Sequence, residues 1–130
     1  MSRNNRQYSD FSLLFNTHPV TGDIVKVTDE DAVKASIRNL IQTRHYERPF
    51  HPEIGCQVHA MLFENLTTVT KSIIKQTIMD VINKFEPRAT VLDVYLNNDS
   101  DNNDLNISIT FKINNASTPT TLTTAITRVR

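Results

Sequence analysis

Three glutamates have the side-chain type that hydrolyses glycosidic bonds: Glu53, Glu64 and Glu86. That reaction needs two carboxyl groups facing one bond, and the one that acts as the acid has a raised pKa. Nothing in the spacing of the three glutamates places two of them together, and the chain contains no tryptophan to stack on a sugar ring. We therefore predict no catalytic residue.

Four potential zinc ligands lie close together in the sequence: His45, His51, Cys56 and His59. Their spacings match no established two-pair zinc pattern, and the chain has no second cysteine. A loop that carries histidines is more often an ordinary surface loop, and Cys56 suits a small buried position as well as it suits a nucleophile. We predict no metal site here.

The Asp- and Asn-rich segment that starts at Asp99 imitates the start of a calcium-binding loop. It departs from that loop at two required positions, because Asp104 replaces the glycine and Thr110 replaces the final glutamate. With two glycines in the whole chain, glycine-rich phosphate loops are excluded. We therefore expect no cofactor.

The charge balance argues against a nucleic-acid partner. Lysine plus arginine and aspartate plus glutamate each number 14, so the formal net charge is zero. A zero balance removes the long-range field that steers a nonspecific nucleic-acid binder. A local basic stripe remains and is typical of a solvated helix face. It consists of Lys34, Arg38, Arg44 and Arg48.

The sequence also argues against a membrane partner. No apolar run approaches the roughly 20 residues that span a bilayer. The polar segment from Met1 to Asp10 lacks the apolar region of a secretory signal, and a single cysteine forms no intramolecular disulfide. We therefore expect the protein to begin in the cytoplasm.

The hydrophobic pattern of the first half predicts a hairpin and then a helix. We expect a flexible N-terminus over residues 1–10 and a β-hairpin over 11–28, where short apolar segments flank a turn-prone stretch. Thr28 and Asp31 have capping-box spacing. Helical periodicity follows to about Thr43.

The middle of the chain predicts an ordered loop and then the longest helix. Prolines and a glycine mark the loop over residues 44–57, and a short helical turn over 58–64 follows it. The longest helix begins at Thr67 or Thr68 and ends before Pro87. Its predicted apolar stripe consists of Val69, Ile73, Ile74, Thr77, Ile78, Val81, Ile82 and Phe85.

After Arg88 the apolar period changes from that of a helix to that of a strand. We predict a first strand with Leu92, Val94 and Leu96 on one face, followed by a loop over residues 97–104. A half-buried antiparallel strand then carries the five apolar residues Leu105, Ile107, Ile109, Phe111 and Ile113. The Thr-rich segment 118–130 predicts an edge strand, or an arm that orders on a partner, with Leu122 and Ile126 on one face. The fold class is α+β: helices packed on a small antiparallel β-sheet in a single domain.

A charged corner lies between the longest helix and the sheet. Glu86 and Arg88 flank Pro87, whose fixed φ presents both charges from a stiff backbone. A rigid arginine can contact a partner carboxylate with two parallel hydrogen bonds. The alternative is an ion pair within the chain at the end of the helix.

Two stretches of the sequence form a pair of motifs. One is Arg48-Pro49-Phe50-His51-Pro52-Glu53-Ile54-Gly55-Cys56 followed by Leu62-Phe63-Glu64-Asn65, and the other is Glu86-Pro87-Arg88. Together they resemble the baseplate wedge proteins of contractile tails. The similarity runs from about Ala32 to Ile113, and Tyr8-Ser9-Asp10 is a further point of similarity. Type VI secretion baseplates carry a related component.

The resemblance implies a baseplate wedge-like α+β domain over residues 29–117 and a structural role in the virion. It implies that Glu86, Pro87 and Arg88 contact the larger wedge proteins, with Arg48, Phe50, Glu53 and Glu64 as secondary interaction residues. It further implies that strand addition to the sheet initiates the tail sheath, with six copies per baseplate. The alternatives are a peptidoglycan-degrading, lysozyme-like baseplate enzyme and a small adaptor of related fold.

Overall fold

The computed structural model describes residues 8–99, 104–114 and 116–127. Its helices precede its main sheet along the chain, and the predicted α+β class is confirmed. The elements in order are the strands β1 (Ser9–Phe11) and β2 (Lys26–Thr28), the helices α1 (Asp29–Gln42), α2 (Val58–Met61) and α3 (Thr68–Phe85), and the strands β3 (Ala89–Asp99), β4 (Asp104–Ile113) and β5 (Thr120–Thr127).

The main sheet is antiparallel, and β4 lies between β3 and β5. Alternate residues of β4 face the core, so Ile107, Ile109 and Phe111 are fully buried against the helices. The opposite face of β4 and β5 carries hydroxyl pairs, one of which joins Ser108 and Thr123 at 3.3 Å. One face therefore forms the core and the other is polar.

A β-bulge in β3 changes which of its residues reach the core. The register against β4 shifts between Val91 and Asp93, and Leu92 is the extra residue. Val91 and Val94 are both buried, whereas Leu92 is 51% exposed. The prediction that Leu92 shares the core face with Val94 is wrong, because a bulge inverts the alternation of side chains along a strand.

Helix α3 has the predicted cap and end. The hydroxyl of Thr67 accepts a hydrogen bond from the Thr70 backbone N–H at 3.2 Å, and the helix ends at Phe85, before Pro87. Near the start of the helix, the buried apolar stripe is narrower than the sequence predicted. Ile74 is fully buried, but Ile73 is half exposed, since it lies about 100° further around the helix.

The start of α1 is fixed by the N-terminal segment and not by a capping box. Strand β1 pairs antiparallel with β2, which brings Tyr8 next to Asp29. The Asp29 backbone N–H donates to the Tyr8 carbonyl at 2.8 Å, and its carboxylate accepts from the Tyr8 N–H at 3.2 Å. The Thr28 side chain makes no capping hydrogen bond, so the capping-box prediction with Asp31 is wrong. This pairing also carries Asp10 to the end of α3.

The described part of β3 and β4 leaves a shorter connection than predicted. Strand β3 continues to Asp99, and β4 begins at Asp104, which is its register partner. The predicted loop over 97–104 is therefore partly strand, because polar Asn and Asp residues extend the ladder beyond the buried region. Residues 100–103, which carry most of the calcium-like pattern, lie outside the described residues.

Candidate protein-binding site

The Glu86-Pro87-Arg88 corner is locked to the end of β4. Asn114 follows β4, and its backbone N–H donates to the Arg88 carbonyl at 3.0 Å. Its side-chain amide donates to the Pro87 carbonyl at 2.8 Å. On the helix side, the Glu86 N–H donates to the Ile82 carbonyl at 2.8 Å. The backbone of the corner is therefore fixed from both elements that it joins.

The two charged side chains of the corner form an internal ion pair with fork geometry. Arg88 Nε donates to Glu86 Oε1 at 2.6 Å, and Arg88 Nη2 donates to Glu86 Oε2 at 2.9 Å. Glu86 is only 2% exposed, while the Arg88 side chain keeps 22% of its surface exposed. Glu86 is therefore engaged by Arg88 of its own chain, as in the alternative prediction of an internal ion pair. Part of the Arg88 side chain remains accessible.

The ionisation of the pair follows from these contacts. Burial by itself raises the pKa of Glu86, but hydrogen bonds from Arg88 and Ser36 and the positive charge of Arg88 outweigh it, so the pKa lies below its ordinary value. The hydrogen bond to Glu86 raises the pKa of Arg88, despite the opposing effect of burial. Both groups are therefore charged at neutral pH.

Asp10 and Tyr8 complete the surroundings of Arg88. Arg88 Nη1 and Nη2 each lie 3.3 Å from Asp10 Oδ2, and the guanidinium carbon lies 5.6 Å from the centre of the Tyr8 ring. These hydrogen bonds are longer than those to Glu86, and the Asp10 side chain is 41% exposed. Asp10 is consequently the weaker of the two carboxylate partners.

This arrangement suits the recognition of a carboxylate. A guanidinium held by a buried carboxylate has a fixed orientation, and its exposed edge can receive a carboxylate from outside. A glycosidase acid needs a raised pKa, whereas the carboxyl groups of the described residues with clearly shifted pKa values, Glu53, Glu86 and Asp93, are all shifted downward. The geometry therefore favours a protein-binding corner.

The secondary residues of the sequence prediction lie on the loop after α1 and in the turn after α2. Arg48, Phe50 and Glu53 are exposed on the loop, and Glu64 is exposed in the turn. A hydrogen bond to its own backbone, together with one from His51 at 3.2 Å, lowers the pKa of Glu53. Their part in binding remains a prediction.

The potential zinc ligands are separately engaged. His59 Nε2 lies 3.2 Å from the Gln42 carbonyl oxygen, and Cys56 is buried, which raises the pKa of its thiol. Within residues 8–99, 104–114 and 116–127, no three histidine, cysteine, aspartate or glutamate side chains gather in a way that holds a metal ion. In those same ranges, no helix has the length and apolar character that crossing a membrane requires.

Comparison with known sequences gives the family. The model of the family described as baseplate wedge protein gp25 matches residues 27–118, which include both motifs and the strands β3 and β4 but not β5. The chain belongs to this family. Baseplate wedge protein gp25 of Enterobacteria phage T4 is 38% identical to it over 63 residues. That match covers 48% of each protein, so the chain spans about half the length of this curated relative.

Solved structures share the fold of this wedge-family chain. A putative tail lysozyme from Geobacter sulfurreducens has a TM-score of 0.71 and 24% identity, over 78% of this chain and 92% of that one. A chain of the anti-feeding prophage baseplate has a TM-score of 0.65 and 24% identity, over 95% and 87% of the two chains. A chain of the postcontracted pyocin R2 baseplate has a TM-score of 0.55 and 15% identity, over 86% and 96%.

These comparisons confirm the predicted resemblance. The chain is a member of the baseplate wedge family of contractile tails. At identities below 25%, the solved structures show the shared α+β fold and nothing further about this chain.

Two contacts of the corner were missed by reasoning from the sequence. Arg88 and Asp10 are separated by 78 residues, and no local pattern pairs them. The one available signal was the similarity of Tyr8-Ser9-Asp10 to the wedge proteins, which did not indicate a contact. Ser36 was missed as well, because a serine on the inner side of a helix carries no distinguishing pattern.

Proposed function

We propose that this chain is a non-enzymatic wedge subunit that docks on the larger wedge proteins through Arg88 and initiates sheath polymerisation by strand addition at β5. Its partners are the larger baseplate wedge proteins and the tail sheath protein, with six copies in each baseplate. The six-fold symmetry of the anti-feeding prophage baseplate supports that number. The observation that carries the proposal is the unprotected outer border of β5.

Strand β5 lies at a border of the sheet and lacks the features that prevent strand pairing. It pairs with β4 on one side and with no other strand in the described part of the chain. Thr120–Thr127 contains neither a charged residue nor a proline, which are the usual defences of an edge strand. An incoming strand would therefore find free main-chain hydrogen-bonding groups there.

The opposite border, formed by β3, is better protected. It contains the bulge at Leu92, which twists an edge away from pairing. Next to the bulge, Asp93 is exposed and forms an ion pair with Lys75 of α3 at 2.6 Å. This contrast between the two borders supports β5 as the strand that the sheath engages.

The docking role of Arg88 rests on the unequal strength of its two carboxylate contacts. Glu86 fixes the guanidinium from inside the chain at 2.6 and 2.9 Å. Asp10 approaches from the exposed side at 3.3 Å and holds it less firmly. A carboxylate of a larger wedge protein can join or replace Asp10 without disturbing the pair with Glu86.

The strand-addition step is tested by placing positive charge on β5 and, as a matched control, on the register partners in β4. The β5 variant combines Thr123→Lys with Ala125→Lys, and the control combines Ser108→Lys with Asn106→Lys on the same polar face. We expect baseplates that contain the β5 variant to lack extended sheaths in electron micrographs, while the control supports full-length sheaths. Full-length sheaths on the β5 variant would refute the assignment of this border.

The docking step is tested with Arg88→Lys, which keeps the charge that Glu86 needs but removes the fork. We expect its affinity for the purified larger wedge proteins to fall at least tenfold, because a lysine cannot form two parallel hydrogen bonds with each carboxylate. Arg38→Lys is the control, since Arg38 is exposed on α1. Equal affinity of Arg88→Lys and wild type would remove Arg88 from the interface.

The lysozyme alternative that the sequence left open also matches the name of the Geobacter sulfurreducens structure, a putative tail lysozyme. The absence of paired carboxylates in the sequence pattern and the lowered pKa of Glu86 support a non-enzymatic role. We expect no clearing in a peptidoglycan turbidity assay. Clearing that is lost in Glu53→Gln, Glu64→Gln or Glu86→Gln would overturn this part of the proposal.

A further inference from the structure

The loop between α1 and α2, residues 44–57, is braced by its own backbone; we name it the aromatic loop. The Cys56 N–H donates to the Thr43 carbonyl at 2.8 Å, and the Tyr46 N–H donates to the Pro52 carbonyl at 3.0 Å. At Gly55, a Cβ atom would lie 2.8 Å from the carbonyl oxygens of Thr43 and Arg44. The two ends of the loop are therefore held together more closely than any side chain at Gly55 would allow.

The braced loop holds two aromatic residues in an unfavourable and exposed state. Tyr46 and Phe50 have φ angles of 65° and 68°, in the left-handed region that bulky residues rarely adopt. Tyr46 is 83% exposed and Phe50 is 97% exposed, so little packing within the described chain offsets that strain. Strain that persists in this way at an exposed site is typical of a residue that is held ready for a partner.

Arg48 lies between these aromatics in the sequence. It makes no hydrogen bond or ion pair with any residue in the part of the chain that the structure describes, and it is exposed. The acidic residues of the loop are already engaged, because Glu47 accepts the Arg44 N–H at 2.8 Å and Glu53 pairs with His51. Arg48 is therefore the charged side chain of the loop that is left to pair with an acidic group of a partner.

Arg48 also links the loop to the ends of α1 and α3. It lines a cleft together with Ser36, Asn39 and Thr43 of α1 and its C-terminal end, and with Phe85 at the end of α3. Ser36 also helps to lower the pKa of Glu86. The cleft thus joins the aromatic loop to the end of α3, directly before Glu86 in the sequence.

We propose that the aromatic loop is a second docking surface for a protein partner that offers an apolar pocket with a carboxylate at its rim. Phe50 enters the pocket, and Arg48 pairs with the carboxylate. Exposed aromatic and arginine side chains are the types that dominate binding energy in protein interfaces. The exposed guanidinium of Arg48 favours an acidic rim. Naming the larger wedge proteins as this partner rests on the proposed function.

The test removes the backbone strain at Phe50, because this change should affect the stability of the fold and the affinity for the partner in different ways. Phe50→Gly relieves the left-handed conformation, so we expect the melting temperature of the isolated chain to stay unchanged or rise by about 3 °C. The same change removes the ring that the partner buries, so we expect affinity for the purified larger wedge proteins to fall roughly tenfold to a hundredfold. A variant that is merely misfolded would show a lower melting temperature as well as a lower affinity.

Phe15→Gly is the matched control, because Phe15 is also exposed and has a φ of 50°. It lies on the N-terminal hairpin, away from the aromatic loop in sequence. We expect it to leave the affinity unchanged. An equal loss of affinity in Phe15→Gly would overturn the assignment to the aromatic loop.

A second pair of variants tests the charge and keeps this inference separate from the role of Arg88. Arg48→Glu is expected to lower the affinity at least tenfold, and Arg38→Glu on the exposed side of α1 is expected to change it less than threefold. If Arg88→Lys loses binding while Phe50→Gly and Arg48→Glu keep it, the loop inference fails and the corner stands. If only the two loop variants lose binding, the role of the corner fails and the loop stands.

Discussion

Replacing Glu86 with glutamine tests whether the buried ion pair holds the end of α3 to the sheet. The substitution keeps the size of the side chain and removes its charge. One carboxylate oxygen that accepts from Arg88 at 2.6 or 2.9 Å becomes an amide group that is itself a donor. Arg88 then keeps only one good contact with residue 86, and the more distant contact with Asp10.

The expected loss of stability in Glu86→Gln follows from the burial of the ion pair and from the contacts that Arg88 keeps. A hydrogen bond to a charged group contributes about 1.5–3 kcal/mol. The partial exposure of Arg88 and its remaining contact with Asp10 place the loss near the lower end, at about 2 kcal/mol. For a domain of this size, that corresponds to a fall in melting temperature of roughly 7 °C.

The pH dependence gives an independent check of the cause. The folded-state pKa of Glu86 lies below its ordinary value of 4.5, so the unfolded state binds more protons between the two pKa values. The stabilisation by Glu86 is fully present above pH 4.5 and is lost as the pH falls through the folded-state pKa. The stability gap between wild type and Glu86→Gln should therefore close in acid.

Urea denaturation followed by circular dichroism, at pH 7 and at a series of lower pH values, measures both effects. Glu64→Gln is the control, because Glu64 is exposed, and it should change stability by less than about 0.5 kcal/mol. A Glu86→Gln protein as stable as wild type at pH 7 would refute the reasoning. A gap that stays constant as the pH falls would show that the loss comes from something other than the charge.

Two further predictions concern the base of the aromatic loop. Gly55→Ala should destabilise the fold by about 2–4 kcal/mol, because Gly55 has a φ of 140° and the new methyl group would lie 2.8 Å from the Thr43 and Arg44 carbonyl oxygens. Chemical denaturation measures the loss of stability. A loss below about 1 kcal/mol would contradict the close approach. The Cys56 thiol should react with a disulfide reagent at neutral pH far more slowly in the folded chain than in denaturant. The reason is that Cys56 is 1% exposed and that burial raises the pKa of its thiol. Equal reaction rates would show that the site opens freely.

Much of the fold was predictable because its elements follow their own periodicity. The strict alternation from Leu105 to Ile113 predicted β4, and the Thr67 cap and Pro87 predicted the bounds of α3. The failures came where a tertiary contact overrides a local rule. The bulge at Leu92 depends on how β3 meets β4, and single-strand alternation does not contain that information.

The candidate site was predictable only in part for the same reason. The charges flanking Pro87 were evident in the sequence, but the degree to which Glu86 is buried depends on packing of α1 against the end of α3. The strain at Phe50 was equally hidden, because the sequence shows a phenylalanine after a proline and not its φ angle. Residue types thus indicated where the site lies, and three-dimensional packing determined which parts remain accessible.

The pairing of β1 with β2 has a practical consequence for shortening the chain. Residues 8–10 carry both the Tyr8 backbone groups that engage the first residue of α1 and the Asp10 carboxylate that faces Arg88. A truncation that starts after Phe11 would remove no fully buried residue of α3 or the main sheet, although it would remove Tyr8, which packs against the core. It would nevertheless release the first turn of α1 and expose one whole side of the guanidinium, so a trimmed protein that folds well is still a different binding reagent.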